Sequence, residues 1–340
     1  MSRPFFYCSD LSRASGERSF GTASVGEVWL LVEYREAWGA HALQDSALSA
    51  DVKRHLNNFC KIVPRARLLF IKQERVRPEA PVCFVVRCRE SAPSIERLEL
   101  AGYDDLLNLD FHALAAGAPL AGGVRLDTPL YLVCTHGKRD KCCAKFGYAL
   151  YKSLREGEPD GHGDGGGVPV WQSSHVGGDR FAANLVCFPH GLFYAHVTPE
   201  AGRRIIAQYE RRQLLLEGYR GRACYSYAVQ AAEFFVRTET GLAALDGLRY
   251  RRHERTGDRS WRVTFIEETG ARTAIETGIE TGAGTGNETG VGTNTGTGAG
   301  HTIHEADIAA RASDFHNYIT CQSDEERPVV QYVLENYRAT

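Results

Sequence analysis

Short apolar runs alternate with a helix-periodic segment in the first third of the chain. The apolar runs have strand length and lie at residues 28–32, 67–71 and 82–86. The helical positions between the first two runs are Leu48, Val52, Leu56 and Phe59. A second helical stretch is expected at 103–114. The pattern predicts an α/β unit over residues 1–125.

The same theme returns over residues 126–222. A strand at 129–134 runs through a polar loop into a helix at 141–155, and a glycine-rich acidic loop follows at 157–167. Three further strands and a closing helix are expected at 168–172, 183–188, 191–197 and 199–217. This predicted β-α-β-β-β-α order is similar to a thioredoxin-like plan.

The sequence pattern of residues 223–340 predicts a C-terminal α+β extension. A helix is expected at 225–238, followed by paired strands at 248–254 and 259–267. Residues 269–300 consist largely of Thr-Gly steps, which cannot bury a core, so this tract is interpreted as a flexible loop inside the extension. Strand-like patterns resume at 316–321 and 329–334.

Composition and charge narrow the class of protein. The chain has 340 residues, a formal net charge of −2, and 43% hydrophobic and 24% charged residues, which predicts an ordinary globular protein of several domains. Because no basic excess exists, a nucleic-acid partner is not expected. The longest apolar runs have only strand length, so neither a membrane span nor a signal peptide is expected, and a cytoplasmic location follows.

The chain contains ten cysteines, a high count for a protein expected in a reducing compartment. Clustered cysteines in that setting indicate metal binding or redox chemistry rather than disulfides. Cys83, Cys88 and Cys187 lie in apolar strand patterns and are interpreted as small buried hydrophobes.

The segment from residue 133 to residue 143 contains the candidate metal-binding cysteines. It reads Val-Cys-Thr-His-Gly-Lys-Arg-Asp-Lys-Cys-Cys. Cys134 ends a predicted strand, whereas Cys142 and Cys143 begin a predicted helix. Helix N-termini favour thiolate, which is the form that binds metal. We therefore expect cysteines from both sides of the loop to converge.

A second polar motif follows about thirty residues later as Ser-His-Val-Gly-Gly-Asp-Arg-Phe-Ala-Ala-Asn-Leu, beginning at Ser174. His175 and Asp179 are four residues apart, and both side chains are metal-ligand types. The alternative is that these two residues only pair with each other. Two glycines between them allow a tight backbone path or the close approach of a bulky group.

These two motifs together resemble the sucrase/ferredoxin-like family, whose C-terminal part is a thioredoxin-like ferredoxin. The turn Pro189-His-Gly-Leu-Phe-Tyr fits the same pattern. Shorter N-terminal matches are Cys8-Ser-Asp, Gly21-Thr-Ala and Trp38-Gly. The similarity spans about residues 5–240, and Cys321 with the following Arg327-Pro-Val-Val strand is a candidate extension of it.

The resemblance implies a [2Fe–2S] cluster. Fungal members have two cysteine ligands in Cys-x8-Cys and two histidine ligands in His-x3-His. Residue by residue, these positions fall on Cys134, Cys143 and His175, and the second histidine position holds Asp179. Cys142 and Cys143 are adjacent, so either could be the second cysteine ligand. The Cys-x8-Cys spacing of the family, counted from Cys134, selects Cys143.

The departure at Asp179 leaves the fourth ligand open. Asp179 is one candidate, Cys142 or Cys187 is another, and a degenerate empty site is the third. A one-electron carrier or redox sensor with an unknown redox partner protein is the first functional hypothesis. The alternatives are a metal-free thiol-redox protein and a non-catalytic interaction module. No pair of carboxylates indicates sugar hydrolysis.

Basic residues flank the predicted ligands. Lys138, Arg139 and Arg180 are candidates to dock an acidic partner or to stabilise a reduced cluster, although a solvated loop explains them equally well. His136 is a candidate to support the ligands from a neighbouring position, but it is interpreted as a loop histidine without such a role.

Overall fold

The structure, a computed structural model, describes residues 5–74, 80–156, 170–268 and 301–340. The expected acidic loop at 157–167 and the Thr-Gly tract at 269–300 lie outside these residues. Within the described chain, a ten-stranded sheet and a four-stranded sheet carry helices on their faces. The predicted mixture of helices and strands is confirmed.

The ten strands of the large sheet are, in chain order, β1 (Val28–Glu33), β2 (Ala66–Lys72), β3 (Val82–Arg87), β4 (Ser94–Glu99), β5 (Val124–Leu126), β6 (Leu130–Cys134), β7 (Val170–Ser173), β8 (Leu185–Phe188), β9 (Leu192–Tyr194) and β10 (Tyr219–Arg222). The small sheet contains β11 (Leu248–Gly257), β12 (Ser260–Glu267), β13 (Thr302–Asn317) and β14 (Arg327–Ala339). The α-helices are α1 (Cys8–Ala14), α2 (Ala50–Ile62), α3 (Phe111–Ala115), α4 (Tyr148–Arg155), α5 (Pro199–Glu210) and α6 (Tyr227–Thr240). Among these described helices, none combines the length and apolar character that a membrane crossing requires.

The large sheet contains the same strand pattern twice. In the first half, β1 pairs in parallel with β2 and antiparallel with β3, which pairs antiparallel with β4. In the second half, β6 pairs in parallel with β7 and antiparallel with β8, which pairs antiparallel with β9. The halves join where β2 and β7 pair antiparallel. Both halves therefore share one continuous sheet.

The sheet curls around a core that both halves share. Three strands separate β1 from β8 in the strand order, yet the rings of Trp29 and Phe188 lie 5.4 Å apart. Neighbouring strands are about 4.8 Å apart, so a flat sheet would hold these strands much farther from each other. Cys134, Cys142 and Cys143 belong to this inner core. The candidate ligands thus lie at the inside of the curl.

Helices cover the outer face of each half. Apolar residues of α2 and α3 pack on β1, β2 and β3, and those of α4 and α5 pack on β6, β8 and β9. Because alternate residues of a strand point to opposite faces, Leu132 faces the inner core while Tyr131 and Val133 face α4 and α5. Cys187 lies on this outer face, which excludes its side chain from the inner core.

Helix α6 packs between the two sheets. Its apolar side meets β12 and β13 of the small sheet. On its other side, Glu233 is fully buried and pairs with Arg222 of β10 at 2.9 Å and with Arg237 at 3.1 Å. The buried carboxylate needs these partners, because an unpaired buried charge would lower the free energy of unfolding by several kcal/mol.

Some sequence-based boundaries are wrong. The helix expected at 199–217 ends at Glu210, where Arg212 adopts a positive φ of 59° and the chain turns. The strand expected at 316–321 is absent, because β13 already ends at Asn317. The N–H of Cys321 donates instead to the Asp140 carboxylate at 2.7 Å. The strands at 248–254, 259–267 and 329–334 are confirmed, and the last is longer than expected.

His190 is a buried histidine in the turn between β8 and β9. Its Nδ1 lies 2.5 Å from the Tyr209 hydroxyl, and its Nε2 has no hydrogen-bond partner. Burial lowers the pKa of His190 to about 3, and Arg222 and Arg212 add to the effect. The folded protein therefore holds this ring neutral.

We predict that acid destabilises the protein partly through His190. Because its pKa is depressed on folding, its contribution is complete above pH 6.5 and is lost as the pH falls from 6.5 toward 3. The full loss is on the order of 5 kcal/mol. His190→Gln should show a shallower fall of unfolding free energy over this range in urea titrations, whereas His41→Gln, at an exposed position, should match the wild type. Parallel curves for wild type and His190→Gln would contradict this.

Candidate metal centre

Cys134 and Cys143 meet at the carboxyl end of β6. Cys134 is its last residue, and Cys143 follows the loop that leads into the helical segment before α4. Both side chains are buried. A ligand atom from each lies within 4.8 Å of the other and of a ring nitrogen of His175. The structure therefore brings the two cysteines together with His175.

The chain between Cys143 and α4 forms a π-helix over Cys143–Gly147. Such wide turns are rare and occur frequently at functional sites. The segment packs tightly against β6, since a Cβ added at Gly147 would lie 1.9 Å from the carbonyl oxygen of Cys134. Glycine at this position therefore lets the helix approach the strand and brings Cys143 close to Cys134.

His175 is held by groups from the first half of the sheet. The preceding residue, Ser174, donates its N–H to the carbonyl of Phe70 at 2.7 Å and accepts a hydrogen bond from the Phe70 N–H at 2.9 Å. The N–H of His175 donates to Nδ1 of His136 at 3.2 Å. The Nε2 of His136 lies 2.6 Å from the Gly39 carbonyl and donates to it.

His136 does lie in the loop after β6, but the structure favours the alternative that it supports a predicted ligand. Its side chain is only 3% exposed and links the residue 39 loop to the backbone of His175. Burial lowers its pKa, so the ring is neutral with one nitrogen donating and the other accepting. His136 thus orients the segment that carries His175.

Asp179 borders the same group of donor atoms. Its Oδ1 lies 3.0 Å from Nδ1 of His175 and 3.7 Å from Sγ of Cys143. The Nδ1 of His175 is buried, and the Asp179 carboxylate is its ion-pair partner. Asp179 itself is only 4% exposed. The carboxylate is therefore the fourth polar group at the centre.

A buried arginine shapes the loop between His175 and Asp179. Arg220 of β10 donates to the carbonyl of Gly177 at 3.0 Å and to the side-chain oxygen of Asn184 at 2.7 Å. Gly178 has a φ of +82°, and a Cβ there would lie 2.5 Å from the Arg220 guanidinium. Glycine therefore allows the tight path that returns Asp179 toward His175.

The pKa values of these donors are shifted in different directions. A hydrogen bond from the Cys143 thiol holds the pKa of Cys134 well below its ordinary value, against the opposing effect of burial. The same contact raises the pKa of Cys143. Burial would lower the pKa of His175, but Asp179 and Cys134 outweigh it and raise that pKa to about 9. Without a metal, the protons held by Cys143 and His175 therefore offset the negative charge of the Cys134 thiolate, and a bound cation would replace them.

The two other candidates for a fourth ligand lie elsewhere. Cys187 is on the outer face of the sheet with Tyr131 and Tyr209. The sulfur of Cys142 contacts the sulfurs of Cys8 and Cys321 at 3.6 and 3.2 Å. No sequence motif indicates this second thiol group, because its members are separated by more than 130 positions in sequence.

An open cleft of about 520 Å³ borders the centre on the side of His136 and His175. Arg67 and Arg139 line it, and the His175 side chain is 27% exposed. Lys138 is exposed in the adjoining loop. Arg180 is not free for docking, because it pairs with the buried Glu17 at 2.6 Å.

Comparison with known proteins agrees with the motifs. The model of the sucrase/ferredoxin-like family matches residues 19–221. No curated protein matches the chain. One similar solved structure is the crystal structure of the wild-type thioredoxin-like [2Fe–2S] ferredoxin from Aquifex aeolicus, with 14% identity over 25% of this chain and 88% of that chain. Its TM-score of 0.22 is too low to establish a shared fold.

We predict that Gly147→Ala disrupts the centre. The new methyl group would overlap the Cys134 carbonyl, so strand or helix must move, at a cost of about 1–3 kcal/mol or more. Urea unfolding measures the loss of stability, and thiol reactivity measures the opening of the buried cysteines. Gly102→Ala is the matched control, since nothing lies within 4 Å of its added Cβ. Equal stability of the two variants would contradict the close approach.

Proposed function

Because this chain belongs to the sucrase/ferredoxin-like family, we propose that it is an iron–sulfur protein that transfers electrons or senses redox state. The proposed cofactor is a [2Fe–2S] cluster, held by Cys134, Cys143, His175 and Asp179. The supporting observation is that two buried thiols and an imidazole place their donor atoms within 4.8 Å of one another.

The donor set fits such a group chemically. Thiolates are the usual ligands of iron–sulfur clusters, and imidazole replaces thiolate in some of them. The buried Nδ1 of His175 pairs with the Asp179 carboxylate, and loss of its proton would free this nitrogen to ligate a metal. The carboxylate of Asp179 supplies a fourth donor 3.0 Å from that nitrogen.

The bound cluster would supply a one-electron couple, and the chain would set its environment. Cys134, Cys143 and Asp179 are anionic donors when deprotonated, which favours the ferric state. The buried guanidinium of Arg220 and the neighbouring Arg180 bring positive charge near this anionic centre. His136 accepts the backbone N–H of His175, which holds in place the segment that carries the imidazole.

The electron partner is proposed to approach through the cleft beside His175. Of the donors, His175 reaches the surface most, since its side chain is 27% exposed while Asp179 is at 4%. Arg67 and Arg139 line this opening. A redox protein with an acidic docking face fits this surface, because opposite charges steer encounter.

We also propose that the second half of the large sheet is a thioredoxin-like ferredoxin unit. Its elements follow the order β6, α4, β7, β8, β9, α5, with the first two strands parallel and the later ones antiparallel. The first half repeats the strand pattern without the cysteine ligands. Division into domains at residues 125 and 222 remains a prediction, since one sheet spans the first boundary.

The direct test is anaerobic purification with iron and sulfide analysis and a visible spectrum. We expect about two irons and two sulfides per chain, as a [2Fe–2S] centre requires. Cys134→Ser should abolish the colour, because it removes a thiolate ligand. Cys187→Ala is the matched control, as a buried cysteine of the same sheet that faces away. A colourless, iron-free wild type would contradict the proposal.

Asp179 offers a second prediction. Asp179→Ala should make the cluster labile, because a donor is lost. Asp179→His should retain it and raise the reduction potential, since a neutral imidazole replaces an anionic oxygen. Redox titration followed by visible absorption measures both effects. If Asp179 only pairs with His175, both variants would keep the wild-type spectrum and potential.

A further inference from the structure

A second thiol cluster lies beside the candidate metal centre. It consists of Cys8 in α1, Cys142 at the start of the helical segment after β6 and Cys321 in the loop between β13 and β14. The three sulfur–sulfur distances are 3.2, 3.5 and 3.6 Å. A carboxylate oxygen of Asp140 completes a set of four donors within 4.8 Å of one another. These donors come from three distant parts of the chain.

We propose that Cys8, Cys142, Cys321 and Asp140 form a structural zinc site, distinct from the proposed cluster. Zinc–sulfur bonds are about 2.3 Å long, so thiolates at the corners of a tetrahedral site lie about 3.8 Å apart. The observed sulfur triangle is nearly equilateral and only slightly smaller. An ion about 2.3 Å from all three sulfurs would lie just outside their plane.

Asp140 is placed to supply the fourth bond. Its two oxygens lie 4.0 and 3.9 Å from the Cys8 sulfur. One oxygen accepts the N–H of Cys142 at 2.8 Å, and the other accepts the N–H of Cys321 at 2.7 Å. These bonds hold the carboxylate at the edge of the triangle. Three sulfurs and one oxygen make a closed four-coordinate set, which is the arrangement of structural zinc sites.

The surroundings favour a metal over a disulfide. A disulfide would join two sulfurs and leave the third buried beside it, whereas one ion engages all three. Backbone N–H groups also point at the sulfurs, from Ser9 to Cys142 at 3.5 Å and from Cys8 to Cys321 at 3.4 Å. Such hydrogen bonds stabilise thiolate ligands. Zinc binding would release the thiol protons to solvent, with no electron transferred.

The site would join separate parts of the molecule. Cys8 belongs to the N-terminal helix, and Cys321 to the loop at the end of the small sheet. Both lie against Cys142, the residue directly before the proposed cluster ligand Cys143. A zinc ion here would therefore fix α1 and the small-sheet loop onto the segment that carries Cys143.

The test begins with the full-length wild-type protein purified under reducing conditions from zinc-supplemented cells. We expect about one zinc per chain, with X-ray absorption showing about three sulfurs near 2.3 Å and one lighter ligand near 2.0 Å. Absence of zinc, even after incubation of the reduced protein with zinc chloride, would overturn the proposal. So would a zinc environment without sulfur.

Variants separate this site from the cluster. Cys8→Ser and Cys321→Ser should each lose zinc, while Cys224→Ser, another partly buried cysteine, should keep it. Cys134→Ser should lose iron and retain zinc. Retention of zinc in Cys8→Ser and Cys321→Ser alike would overturn the assignment. If these variants fail to fold, the wild-type absorption spectrum still decides. A chain with iron but no zinc would contradict only this second site.

Discussion

The pairing of β2 with β7 determines how the candidate centre is built. This antiparallel contact joins Ile71 with Ser173 and Lys72 with Gln172. Immediately beyond it, Ser174 exchanges two hydrogen bonds with Phe70, which brings His175 to the end of β6. The first half of the sheet contributes no proposed cluster ligand, yet it positions one. Loss of this pairing would release His175 from Cys134 and Cys143.

The donor groups of the candidate centre form hydrogen bonds and ion pairs with one another. Cys143 donates to Cys134, and the imidazole of His175 lies against Asp179. In a buried setting these anionic groups need compensation, which protons or a metal cation can supply. Metal loading then exchanges protons for the cation, so affinity should depend on pH. Zinc binding by Cys8, Cys142 and Cys321 would likewise replace thiol protons, so zinc affinity should also depend on pH.

Local patterns in the sequence predicted much of the fold. Apolar periodicity predicted β1 to β3, β6 to β9 and the helices α2 and α4 to α6, but it missed β4, β5 and β10. The resemblance to the family, rather than spacing alone, indicated that His175 joins Cys134 and Cys143. Periodicity could not reveal that both halves share one sheet, because the β2–β7 contact joins residues 100 positions apart. The strand expected at 316–321 does not form, because the backbone N–H of Cys321 donates a hydrogen bond to the Asp140 carboxylate rather than to a neighbouring strand. The role of His136 and the meeting of Cys8 with Cys321 likewise depend on tertiary contacts.

We propose that one histidine, with thiolate and carboxylate partners, ligates a [2Fe–2S] cluster. Pulsed electron paramagnetic resonance of the reduced protein tests it most directly, because directly bound nitrogen couples strongly to the unpaired electron. We expect a spin-half signal with a single strongly coupled nitrogen in the wild type and with two strongly coupled nitrogens in Asp179→His. A reduced protein with no such signal, or a signal without any strongly coupled nitrogen, would contradict the account.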